Sequence, residues 1–176
     1  MSADAHVERI LRERAARLAR APVATLTAAD ALELLEFRLA SERYAVETRF
    51  VSEVHPLRDL TPLPGTPAFI RGIVNLRGRI LPVYDLKKFF QLPEQGVTDL
   101  HRIVVVDGGD FEIGLLADVV AGMRVLPRAA LSPPLPTLSA IAAEYLMGVS
   151  EERLVVLDLA RLLSDPKIVV NDGESE

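Results

Sequence analysis

The chain has 176 residues, 49% of them hydrophobic, which suits one domain or two small halves packed closely together. A net charge of −5, few aromatics and no basic stripe exclude non-specific nucleic-acid binding, and the absence of cysteine excludes disulfides, thiolate chemistry and the usual zinc frameworks. No signal-peptide pattern precedes the fold and no apolar run approaches the ~18 residues of a membrane span, so a soluble, cytoplasmic protein is expected.

Residues 1–30 read as an amphipathic helical extension. Val7, Ile10, Leu11, Ala15 and Leu18 fall at helical spacing with arginines between them, and Pro22 ends the pattern. Such a helix either packs on its own domain or docks a partner. From Glu33 the period changes to two: Leu35, Phe37 and Leu39 alternate with polar or small residues, Ser41-Glu42-Arg43 turns the chain, and Tyr44-Ala45-Val46 returns. Arg49 to Val54 fits a short strand or one helical turn. Leu60 to Pro67 carries three prolines, which remove ladder donors, and so reads as a rigid extended connector.

The stretch Ile70 to Phe90, IRGIVNLRGRILPVYDLKKFF, holds two β-prone runs split by a tight turn at Arg77-Gly78-Arg79. This pattern predicts a hairpin, after which Asp85 is a good N-cap for a short helix over Leu86–Leu92. Ile103-Val104-Val105-Val106 is a continuously apolar strand, turned by Asp107-Gly108-Gly109-Asp110 into a strand from Phe111 to Leu116. Pro133-Pro134-Leu135-Pro136 reads as a stiff internal loop or a polyproline ligand. Tyr145 to Leu163 then repeats the hairpin-and-helix unit, with Gly148-Val149 matching Gly72-Ile73 and Asp158 matching Asp85. Upstream, a shift of 69 positions sets Leu34 over Ile103, Val46 over Leu115, Phe50-Val51 over Val119-Val120 and Val54 over Met123. These matches keep their order along the chain and indicate an internal duplication. The halves run from about 31 to 93 and from about 99 to 164. Short, closely spaced strands favour small antiparallel barrels, one per repeat. The acidic tail, 165–176, is expected to be flexible.

Catalytic chemistry finds no constellation here. Asp85 and Asp158 occupy the same pre-helix position in both copies, so capping explains the pair without acid–base work. His6, His55 and His101 stand in unlike contexts without metal-ligand spacing, and neither a G-x-S-x-G nor a phosphate loop occurs. Arg77 stands out, because the second copy has Ser150-Glu151-Glu152 at the corresponding turn. It reads as a solvated turn residue, or as half of a bidentate pair with Glu53.

Gly72 to Leu86, GIVNLRGRILPVYDL, together with Leu60-Thr61-Pro62-Leu63-Pro64 and Pro67-Ala68-Phe69-Ile70 before it, resembles the CheW-type coupling proteins of bacterial chemotaxis. The resemblance continues through IGLLADVVAGMRVL, similar to the family's Gly-hydrophobic-Asp-hydrophobic segment, and ends at Tyr145–Leu163, so that it covers about Glu33 to Ser164. It implies an all-β domain over 31–164 of two SH3-like five-stranded β-barrel subdomains, with short helices and no catalytic residue, cofactor or metal. It implies an adaptor that binds the cytoplasmic tip of a methyl-accepting chemoreceptor and the regulatory domain of a CheA-type histidine kinase, recruited from the cytoplasm to membrane-associated receptor arrays. By the same resemblance Arg77 pairs with Glu53, and Val51 and Ile80 lie near the receptor groove. Gly72 and Gly78 serve close backbone approach and the turn, and Asn75 belongs to the N-L-R-G stretch. The N-terminal helix is foreign to the minimal family fold, which leaves open a CheW-like scaffold of another motility or developmental pathway. A small-ligand-binding double β-barrel is the competing reading from another class.

Overall fold

The computed structural model describes residues 30–92, 101–134 and 143–168, together with Arg9. The helix expected over Val7–Leu18, Leu135-Pro136 and the end of the acidic tail lie outside the described residues. The strands are β1 (Ala31–Leu39), β2 (Glu42–Glu47), β3 (Val51–Pro56), β4 (Ile70–Leu76), β5 (Arg79–Tyr84), β6 (Arg102–Asp107), β7 (Glu112–Ala117), β8 (Val119–Pro127), β9 (Leu146–Val149) and β10 (Leu154–Leu157). Two short helices, α1 (Leu86–Phe89) and α2 (Leu159–Leu163), follow β5 and β10. The ambiguity over Arg49–Val54 resolves into both alternatives, a 3-10 turn at Thr48–Phe50 and then β3.

The strands form two five-stranded sheets, in the orders β8-β1-β2-β10-β9 (sheet A) and β3-β6-β7-β5-β4 (sheet B). Replacing β1–β5 by β6–β10, and the reverse, converts one order into the other, so the duplication holds strand for strand. The halves, however, do not each form a sheet. The β1–β2 hairpin of the first half lies among strands of the second, and the β6–β7 hairpin lies among strands of the first. Wholly antiparallel sheets are corrected as well: β2 pairs parallel with β10, and β5 with β7. This follows from the exchange, which sets a hairpin strand beside a partner from the other half.

Exchange explains why so many strands are apolar without alternation. On β6, Ile103 and Val105 pack with Leu81, Val83 and Leu116 inside sheet B, while Val104 and Val106 face a larger core shared by both sheets. On the other sheet Leu154 and Val156 join Leu32, Leu34 and Ala45, while Val155 and Leu157 enter the shared core. A strand buried on both faces has no place for the polar half of an alternating pattern.

Both predicted caps are present. The Asp85 side chain accepts from the backbone N–H of Lys87, and that of Asp158 from Arg161 N–H, each at the start of its helix. The α1 helix stops at Phe89 rather than Leu92, and Phe90 caps it. Asp85 is fully buried and also receives Arg71 Nε at 2.9 Å, whereas the cap bond of Asp158 is exposed. Asp158→Ala should therefore cost about 1 kcal/mol, the ordinary loss of a cap. Asp85→Ala should cost more, because it empties a fully buried site and also removes the Arg71–Asp85 ion pair. Thermal melts of the two variants give the order directly.

Candidate functional site

The β4–β5 hairpin is closed by a two-residue turn in which Arg77 (φ 52°) and Gly78 (φ 84°) are both left-handed, the mirror-image type that suits strand twist. Asn75 Oδ1 accepts from Gly78 N–H at 2.9 Å and locks this turn. A left-handed conformation costs an L-residue such as Arg77 about 1–2 kcal/mol. The reward is position: Arg77 stands at the apex with its side chain 76% exposed.

Glu53 on β3 sits below the apex, but its main partner differs from the one expected. Arg79 Nη2 donates to Glu53 Oε1 at 2.8 Å, and His55 Nε2 lies 2.9 Å from Oε2. Arg77 Nη1 is 3.7 Å from Oε2, an ion pair without a hydrogen bond, so the bidentate Arg77–Glu53 pair is corrected to a looser contact. Arg79 also reaches Glu112 on β7, which accepts from Ser52 Oγ at 3.3 Å. The cluster joins β3, at one end of the strand order, to the far hairpin, so sheet B curls back on itself. Sheet A has a counterpart: Arg124 on β8 bonds Glu152 in the β9–β10 turn, and Glu36 receives Arg43 Nε at 2.7 Å.

The remaining candidates fall around this hairpin. A side chain at Gly72 would strike Thr61, whose N–H and C=O bridge Ile73 at 2.9 and 2.8 Å and so cover the outer edge of β4. Ser132 covers β9 in the same way, through Val149. Val51 is half-buried against the shared core, whereas Ile80 is 65% exposed. The edges at β3 and β8 carry no such covering bridge among the described residues. On β8 Met123, 74% exposed, and Val125 form a short exposed apolar stripe on the face of Leu35, while Val119, beyond the bulge at Glu36/Phe37, is exposed on the opposite face. Sequence reading passed over this stripe, although the match of Val54 with Met123 placed both on equivalent strands. It also missed a buried lysine, Lys87, whose Nζ lies 2.7 Å from Asp118 Oδ1.

Among the described residues no group of acidic residues and histidines could hold a metal ion, and no helix is long and apolar enough to cross a membrane. Several carboxylates sit below their ordinary pKa. For Glu53 the His55 hydrogen bond is the chief cause, and for Glu36 and Asp165 it is the bonds from Arg43 and Tyr145. Burial alone would raise Asp118, but Lys87, the Ala40 N–H and His101 together outweigh it. Folded values lie below unfolded ones, so these groups stabilise the fold above the unfolded range, about pH 4, and lose that contribution as pH falls through the folded values. The thermal midpoint should be flat from about pH 7 to 5 and fall steeply below about 4 in calorimetry. A midpoint unchanged at pH 3 would contradict these assignments.

Two interlocked sheets of one strand order, tied by ion clusters and edged by an apolar stripe, define a duplicated all-β protein with its distinctive residues on the surface. Residues 33–167 match the family model described as CheW-like domain, and the chain belongs to that family. It is 36% identical over 155 residues to the chemotaxis protein CheW of Thermotoga maritima, covering 84% of this chain and 98% of that protein. It is 38% identical over 136 residues to the protein FrzA of Myxococcus xanthus, covering 74% of this chain and 84% of that one. The crystal structure of the scaffolding protein TtCheW from Thermoanaerobacter tengcongensis superposes with a TM-score of 0.67 at 31% identity, covering 77% of this chain and 94% of that one.

Proposed function

We propose that this chain is a non-catalytic adaptor that couples chemoreceptors to a CheA-type histidine kinase in a cytoplasmic, membrane-recruited signalling array. The observation that carries the reading is the β8 stripe in a protein of the CheW-like family: Met123 and Val125 exposed on one face of a sheet edge that has no covering bridge among the described residues. Such an apolar surface marks a partner site, and its width suits one face of an amphipathic helix, the form a receptor tip would offer. The flexible Met123 thioether adapts to irregular partners. The β4–β5 tip, with Arg77 projecting and Glu53 held by Arg79, supplies a second, polar contact on the other sheet. Weak contacts on both sheets would add up through multivalency in an array.

Capture of a CheA regulatory domain and a receptor cytoplasmic fragment from the same genome tests the proposal. The native chain and a chain lacking residues 1–30 should retain both partners, and Met123→Asp should lose the receptor fragment. Arg79→Ala should weaken capture more than Arg77→Ala, because it frees the Glu53 carboxylate that both arginines face. Capture of neither partner by the native chain would remove the adaptor reading. Retention of the receptor fragment by Met123→Asp would remove β8 as its site. A second reading keeps the adaptor but changes the pathway, since identity to FrzA matches that to proteins named for chemotaxis. Capture of a kinase from another motility system in preference to the chemotaxis kinase would select it.

A further inference from the structure

A single residue, Asp118, separates β7 of sheet B from β8 of sheet A. Its two carboxylate oxygens face opposite ways across this seam. Oδ2 accepts from the N–H of Ala40 at 2.7 Å, in the β1–β2 turn of sheet A, and the Asp118 N–H donates to Arg38 C=O beside that turn. Oδ1 receives the ammonium of Lys87 at 2.7 Å; Lys87 belongs to α1, directly after β5 of sheet B, and is 2% exposed. His101 Nε2 lies 2.7 Å from the same oxygen, and its residue leads into β6 of sheet B while its carbonyl holds Leu57 N–H. One carboxylate thus grips both sheets at the point where the chain passes between them.

The other seam, from β2 to β3, has no such device. The residue matched to Asp118 by the repeat is Arg49, which is exposed and bonded to Glu47 two residues away, with its guanidinium 4.5 Å from the Phe50 ring. Its contacts are local. The duplication therefore breaks at this position, and in one seam only.

We propose that Asp118 is a positioning residue: its hydrogen bonds to Ala40 and Lys87, with His101 close by, set the angle between the two sheets, and with it the spacing between the β8 stripe and the β4–β5 tip. The shared apolar core holds the sheets together, but apolar burial has no direction and tolerates small rotations. Charge-assisted hydrogen bonds are short and directional, so they fix an orientation that apolar packing leaves free. The purpose of a fixed angle rests on the bridging function proposed above, since an adaptor that contacts two partners must hold its two faces in register. The angle itself is measurable without any partner, so failure of one idea leaves the other standing.

The chain lacks cysteine, which makes Ile80→Cys with Met123→Cys a clean pair of spin-label sites, both exposed and one on each sheet. In the native background the interspin distance distribution should be narrow. Lys87→Met with Asp118→Asn removes both charges, keeps an acceptor for Ala40 N–H and fills the same volume. Its thermal midpoint should stay near native while the distribution roughly doubles in width. Asp118→Glu, which lengthens the grip and keeps the charge, should shift the mean distance. Leu34→Ala, buried inside sheet A away from the seam, should lower the midpoint and leave the distribution narrow. Unchanged distributions in both seam variants would overturn the proposal, and so would equal broadening in Leu34→Ala, which would make the effect one of stability alone.

Discussion

Phe90→Ala should cost about 3–5 kcal/mol, among the largest losses any single side chain of this protein can produce. Phe90 is fully buried at the end of α1, and its ring stacks on Tyr44 of sheet A at 6.2 Å and meets Phe89 edge-on at 5.5 Å. Tyr44 in turn stacks on Phe37, and Phe89 touches Phe69 and Tyr145, so the ring sits midway along an aromatic file through the shared core. Deletion removes burial from both sheets at once and leaves a cavity that neighbours on rigid strands cannot fill. Urea denaturation should show a lower midpoint with an unchanged slope. The contrast is Ile80→Ala, at an exposed site, expected to stay within about 0.5 kcal/mol. A loss below about 1.5 kcal/mol for Phe90→Ala would mean that the file is not continuous as described.

Gly72→Ala should come next, at about 3 kcal/mol, combining overpacking with the loss of two backbone hydrogen bonds. The new Cβ would overlap the Thr61 carbonyl oxygen, with the carbonyl carbon 2.7 Å and Pro62 Cα 3.0 Å away, and none of these backbone atoms can rotate aside. The Thr61–Ile73 bridge must then part, uncovering the edge of β4. At the matching position, Gly148→Ala meets Ser132 C=O at 2.8 Å and should cost less. Gly78→Ala meets nothing within 4 Å and pays only for its positive φ, about 1 kcal/mol. Denaturation midpoints should rank the three in that order. Gly78→Ala worse than Gly72→Ala would contradict the close approach.

Much of the architecture is legible as local pattern. The β4–β5 turn, the caps at Asp85 and Asp158 and the order of the two copies are each written in a few adjacent residues, and the structure places them accordingly. What escaped depends on side chains meeting across the fold. Arg77 drew attention as the apex residue, yet an apex side chain points away from the sheet, while Arg79, the first residue of β5, points toward Glu53. Lys87 falls in the expected helix, and nothing near it in sequence marks it as buried. Asp118 did carry a signal: a lone carboxylate in the apolar run Leu115-Leu116-Ala117-Asp118-Val119-Val120 requires a buried donor or cation. Which cation supplies it is a property of the fold.

The links between hairpin and following strand have a further consequence. Three residues separate β2 from β3, and one separates β7 from β8. Within a sheet, β2 and the strand in the place of β8 both run antiparallel to β1, and hence point the same way. For a half to close its own sheet, the chain would have to travel back along the whole strand, about 20 Å at ~3.3 Å per residue, on a link that reaches only about 14 Å. Neither half can complete itself. Recombination at the repeat boundary today would replace two strands of one sheet and three of the other. The halves are repeats in sequence, but only the two together can be inherited as a working part.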